Sequence, residues 1–180
     1  MTASMAPVLV EGDQDQKVQM GDVAMAFKVG HKQTAGGAAV HEWTLMPRKL
    51  AAPPHRHEHE DEIFHVLVGE ATVMQDDEVA TIGPGSYVVL PRGHFHTFWN
   101  SGDIPLRLLV IMTPGRLEEY FEQAGGLVRP GALPDMAALS RLMDQYGLTV
   151  QMERMGELMA RYDLETDVPP PPSAGSQQGG

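Results

Sequence analysis

No cysteine occurs among the 180 residues. That excludes disulfides, iron–sulfur clusters, thiolate zinc sites and thiol nucleophiles. Basic residues are scarce as well: 13 Lys and Arg stand against 24 Asp and Glu, a formal charge of −11. A chain of that sign carries no electrostatic footprint for DNA or RNA, and it does not favour an anionic lipid surface. Long apolar runs are missing too. The stretch Leu106–Met112, interrupted by Arg107, is of strand length and cannot span a bilayer. Residues Met1-Thr2-Ala3-Ser4-Met5-Ala6-Pro7 lack a basic region followed by an apolar one. No secretory leader is therefore expected, and a cytoplasmic location is.

What is present points to a folded globule. Hydrophobic residues make up 42% of the chain, and its length allows one domain with an appendage. From Val8 to Pro114 short runs rich in Val, Leu, Ile, Phe and Thr alternate with Gly, Pro or Asp. The clearest are Val23–Val29, Ala39–Met46, Ile63–Val68, Ala71–Gln75, Glu78–Ile82, Tyr87–Leu90, His94–Trp99 and Leu106–Met112. Val68-Gly69-Glu70 reads as a tight turn, and Gln75-Asp76-Asp77-Glu78 as a hairpin loop. Many short strands without intervening helices predict an all-β antiparallel sandwich or barrel over residues 8–114.

From Gly115 the apolar period changes from 2 to about 3.6, which predicts a helical extension over residues 115–165. Leu117, Tyr120, Phe121 and Ala124 share one helical face, ended by Gly125-Gly126. A second helix is predicted from an N-cap at Asp135 to Tyr146, with Gly147 as its stop. A third spans about Gln151–Tyr162, with Met152, Met155, Met159 and Tyr162 on one side. Packing against the barrel accounts for these stripes; a lid or a partner surface is the alternative. Residues 166–180, rich in Pro, Gly, Ser and Gln, read as a disordered tail.

Six of the eight histidines lie between His55 and His96. In Pro54-His55-Arg56-His57-Glu58-His59-Glu60-Asp61-Glu62, His55 and His57 are two apart and face the same side of a strand. A short bend would bring the Glu62 carboxylate to the same point. Imidazoles with one carboxylate suit a divalent first-row metal: iron, manganese, nickel, cobalt, copper or zinc. The competing reading is a solvated acidic loop. His59 fits that reading, since the chain must turn there, and His65 has the opposite parity to Glu62 and Phe64. The second stretch, Gly83 to Asn100, runs turn, apolar strand, Pro91-Arg92-Gly93 turn and strand. It offers both His94 and His96 at like parity, and spacing alone does not choose between them.

These two stretches resemble the motifs of the cupin superfamily. The first motif, Gly-x5-His-x-His-x3–4-Glu-x6-Gly, is matched by His55, His57, Glu62 and Gly69, with Lys49 at the place of the leading glycine. The second, Gly-x5-Pro-x-Gly-x2-His-x3-Asn, is matched at every position by Gly85, Pro91, Gly93, His96 and Asn100. The resemblance implies a double-stranded β-helix, a jelly-roll barrel, followed here by the C-terminal α-helices. It implies one divalent transition metal on His55, His57, Glu62 and His96, and so prefers His96 over His94, which becomes a neighbouring pocket candidate. Four protein ligands leave about two positions on a six-coordinate ion, enough for dioxygen or a chelating substrate.

Within the superfamily the chain is similar to the small one-barrel quercetinase-like cupins of bacteria. The implied activity is a dioxygenase acting on a flavonol-like enol or phenol, with Glu62 as both ligand and catalytic proton acceptor. Phe64, Tyr87, Phe95, Phe98 and Trp99 are the aromatic candidates for a planar-substrate pocket, with ordinary barrel core as the favoured role for most of them. The rival readings are a non-redox cyclase or isomerase of a polyketide or keto acid, and a binding module without turnover. A small-molecule substrate, no nucleic acid, no membrane and a homodimer are the expected partners.

Overall fold

The computed structural model describes residues 7–12 and 15–169. Eleven strands form in chain order: β1 (Gln16–Met20), β2 (Val23–Val29), β3 (Ala39–Leu45), β4 (His55–His57), β5 (Asp61–Val68), β6 (Ala71–Gln75), β7 (Glu78–Ile82), β8 (Tyr87–Leu90), β9 (His96–Asn100), β10 (Leu106–Thr113) and β11 (Leu148–Val150). Three α-helices accompany them: α1 (Glu118–Ala124), α2 (Met136–Tyr146) and α3 (Met152–Tyr162).

Alternation of apolar residues decides how the strands associate. In β3, Ala39, His41, Trp43 and Leu45 are buried and the residues between them are not; in β10 the same holds for Leu106, Leu108, Val110 and Met112. Successive side chains point to opposite faces, so each strand drives one face out of water. The result is two antiparallel sheets, ordered β1-β2-β3-β10-β5-β8 and β11-β4-β9-β6-β7. Their inner faces meet through aromatic rings: Phe98 of β9 lies 5.0 Å from Phe64 of β5 and 6.1 Å from Trp43 of β3, centroid to centroid. This is the all-β jelly-roll predicted above.

The two expected turns are present. Gly69 has φ +82, and a Cβ there would sit 3.0 Å from the Leu106 Cα, so only glycine fits. Asp76 takes the left-handed conformation at the Gln75–Glu78 hairpin. Strand β1 was not among the expected strands, because its sequence Gln-Lys-Val-Gln-Met is mostly polar and exposed at a sheet edge. The strand expected from His94 begins instead at His96, since His94 lies in the preceding bend.

The C-terminal region is more closely built into the barrel than a separate extension would be. Asp135 caps α2 by accepting the Ala138 N–H at 2.9 Å, and Gly147 ends it at φ +66. Strand β11 then pairs with β4 and becomes the edge of the second sheet. Leu158 of α3 is buried with Leu50, Met74, Trp99 and Leu164 in a second apolar cluster. Residues 166–169, expected to belong to a disordered tail, are instead held to the barrel: Thr166 Oγ1 donates to Asp22 at 2.6 Å, as does the Asp167 N–H at 3.0 Å. The rest of that expected tail, residues 170–180, lies outside the described residues. Among the described residues no helix is long and apolar enough to cross a membrane.

Candidate metal centre

Three short segments aim four side chains at one point between the sheets. His55 and His57 stand two apart on β4, and His55 pairs directly with His96 of β9. Glu62 comes from the opposite sheet, on the inward face of β5 that also carries Phe64 and Val66. The bend between β4 and β5 is held by backbone bonds: Gly93 N–H to His57 O at 2.8 Å, and Glu58 N–H to Gly147 O at 2.9 Å. One ligand atom from each of His55, His57, Glu62 and His96 lies within 4.8 Å of the others. His96 Nε2 is 3.3 Å from Glu62 Oε2.

The state of these groups suits a cation. His55 Nδ1 is 2.9 Å from the Pro53 carbonyl, and His96 Nδ1 is 3.2 Å from the His94 carbonyl. A carbonyl only accepts, so each Nδ1 is the donor in its bond, which leaves Nε2 as the nitrogen that could meet a cation. Enclosure in the barrel pushes His55 and His57 from 6.5 down to about 3, helped by His96 beside both and by His57 beside His55. Both are neutral at neutral pH, as a metal ligand must be. Both ring nitrogens of His57, Glu62 Oε1 and His96 Nε2 are buried without a hydrogen-bond partner. Each such atom costs about 1–3 kcal/mol when left unpaired, a cost a shared cation removes for one nitrogen of each imidazole and for the carboxylate. The residues present therefore fit a divalent ion.

Around the cluster, other polar groups hold the frame. Arg92 grips Asp61 with Nε and a terminal nitrogen at 3.0 and 2.8 Å, pinning the start of β5 next to Glu62 and holding the Asp61 carboxyl well below its usual range. Asn100 is fully buried and donates to the Leu45 and Ile104 carbonyls at 2.9 and 2.8 Å, while its Oδ1 accepts from Gly102. It is a frame residue that ties β9 to the end of β3. Glu60 is buried, with its carboxyl raised by that burial, yet does not line the cavity described next.

An apolar cavity of about 160 Å³ opens on His55, Glu62 and His96. Phe64 and Phe98, two of the five aromatic candidates, line it. Trp43, Tyr120 and Phe121 line it too, although the sequence showed them only as members of apolar stripes. No Lys or Arg is among the described lining residues. The other aromatic candidates lie elsewhere. Tyr87 is 65% exposed, Phe95 sits under the Arg56 guanidinium at 5.1 Å, and Trp99 packs on Tyr162 in the second cluster. His94 is not a pocket residue either: it is exposed and pairs with Asp76 at 2.8 Å. His59 is exposed, and His65 stacks on Tyr87 outside the barrel, as their parity and position implied.

Residues 41–112 match the family model described as the cupin domain. Quercetin 2,3-dioxygenase of Bacillus subtilis (strain 168) is 23% identical over 119 residues, which is 66% of this chain but only 35% of that protein. Among solved structures, KdgF from Halomonas sp. superposes with a TM-score of 0.56 at 15% identity, covering 63% of this chain and 99% of that one. A predicted oxalate decarboxylase from Thermotoga maritima does so with a TM-score of 0.53 at 23% identity, covering 59% and 98%. At these identities the superpositions bear on the fold alone, and they agree with the jelly-roll and with the matched domain. Over residues 41–112 the chain carries a cupin domain.

Proposed function

We propose that this protein is a metal-dependent oxidoreductase, a dioxygenase of a flavonol-like enolic or phenolic small molecule, with His55, His57, Glu62 and His96 holding one divalent transition metal. The observation that carries this reading is the wall of the cavity: mostly aromatic and aliphatic, free of Lys and Arg among its described residues, and polar at the His/Glu cluster and at Asp22 and Thr166. A phosphorylated or dicarboxylic substrate needs cationic anchors, whereas a planar, uncharged ring system needs apolar faces. The distant likeness to quercetin 2,3-dioxygenase supports the same class.

When bound, the ion supplies positive charge for a deprotonated substrate oxygen and, if redox-active, a route for electrons to dioxygen. The chain's own residues do the rest. Trp43, Phe64, Phe98 and Phe121 orient the ring and exclude water. Glu62 Oε1, buried and unpartnered, takes the proton of the substrate hydroxyl, and Oε2 stays beside His96.

Oxygen uptake by the metal-loaded protein, measured with a panel of flavonols in air and under argon, tests the reading. The expected result is oxygen consumed in step with loss of the flavonol, and none in Glu62→Gln. Turnover under argon would replace this reading with Lewis-acid cyclisation or isomerisation. Binding without product in air would replace it with a carrier role.

A further inference from the structure

Lys49 stands where the first motif has glycine. Its side chain is only 14% exposed, and acid surrounds its ammonium: Asp167 at 2.6 Å, Asp22 at 3.8 Å and Glu165 at 3.9 Å. Two of these acids belong to the segment that follows α3, residues 163–169. The two ends of that segment are held differently. At one end Leu164 is buried among Leu50, Met74, Trp99 and Leu158. There the Glu165 N–H also donates to Arg48 O at 2.8 Å, and the Leu50 N–H donates to Glu165 O at 3.1 Å. Beyond Glu165 the hold is mainly polar: Thr166 and Asp167 on Asp22, the Gly131 N–H on Asp167 O at 2.7 Å, and Lys49 on Asp167.

This polar end covers apolar space. Thr166, Val168 and Pro169 line the cavity together with Met20, Gly21 and Val23. Strand register places them far from the metal ligands. Glu62 is level with Met112 of β10, whereas Val23 is level with Leu45 and so with Leu106, six residues further along the same strand. The solved neighbours align over nearly their whole length yet leave more than a third of this chain without a counterpart.

We propose that residues 163–169 form a strap closing the end of the cavity remote from the metal ligands, and that Lys49 is the positioning residue that latches it. The latch sets which apolar ligands enter and how far they extend. The proposal rests on the reading of the cavity as the ligand site. Its physical basis is charge. Without the Lys49 ammonium, Glu165 keeps Arg48 at 3.8 Å, but Asp22 and Asp167 lie close together with no other paired cation and repel one another. Leu164 stays buried, so the strap swings free from residue 166 onward while the fold is kept.

The test compares full-length Lys49→Met, which keeps the apolar stem and loses the charge, with Lys49→Arg, which keeps the charge. Amide hydrogen exchange reads the strap. Acrylamide quenching of Trp43, in a Trp99→Phe background, reads access to the cavity. Lys49→Met is expected to exchange the Asp167 and Val168 amides about tenfold faster and to raise Trp43 quenching about threefold, with Thr97 and Phe98 of β9 unchanged. Lys49→Arg is expected to behave as the parent. Parent-like exchange or quenching in Lys49→Met overturns the latch, and so does faster exchange spread equally into β9. Thr166→Val, which removes the 2.6 Å bond to Asp22 without changing charge, is expected to shift the same amides, and its failure to do so overturns the latch even if Lys49→Met does not fold. Neither readout needs turnover or bound metal. A lack of oxygen uptake therefore leaves the strap standing, and a failed latch leaves the metal centre standing.

Discussion

Asn100 ends the second motif but touches no ligand; its three hydrogen bonds, to Leu45, Ile104 and Gly102, lie in a fully buried position. Asn100→Ala leaves two carbonyls without donors and is expected to destabilise the protein by about 2–4 kcal/mol in thermal or urea unfolding. Metal content per folded chain should not change. A loss below about 1 kcal/mol would contradict the frame role. The histidines carry the opposite signature. In the metal-free protein His55 and His57 are held down to about 3, while the unfolded chain takes up protons on them from about 6.5. The unfolded state binds more protons across that window, so stability falls as pH falls from 6.5 towards 3. Urea midpoints of the metal-free form that stay flat over that range would contradict their buried, neutral state.

At the scale of elements, β11, like β1, is a piece that sequence alone did not show. Three residues, Leu148, Thr149 and Val150, are too few for a period, yet they flank β4, the strand that holds His55 and His57. Gly147 makes the junction. Its φ is +66, and a Cβ there would lie 3.0 Å from the Glu58 Cβ. Gly147→Ala is expected to push β11 off β4 and to weaken metal binding about tenfold in competition with a chelator, as support lost behind a ligand does. Unchanged affinity would mean that β4 holds its histidines unaided. The longer elements were legible because their signals are local. Asp135 and Gly147 bound α2, and the alternation in β3 and β10 is unbroken. Spacing could not separate His94 from His96, because their parity is the same. What separates them is a bend before β9 and the carboxylate of Asp76, eighteen residues away, which holds His94 at the surface.

At the scale of the whole molecule, the convergence of His55, His57, Glu62 and His96 was legible from two motifs, whereas the cavity was not. Trp43, Tyr120 and Phe121 read as plain core, and they converge only because α1 and α2 close over the barrel with Leu139, Leu142 and Tyr146. On the proposed reading, a divalent ion on one carboxylate would give the site a local positive charge that draws an anionic oxygen inward despite the chain charge of −11. The central claim is that four side chains from two sheets hold that ion. Elemental analysis of the purified protein beside its Glu62→Gln/His96→Ala double variant tests it most directly, with circular dichroism confirming that both are folded. One transition metal per parent chain and none in the variant is the expected result. Full retention of metal by the folded variant would contradict it.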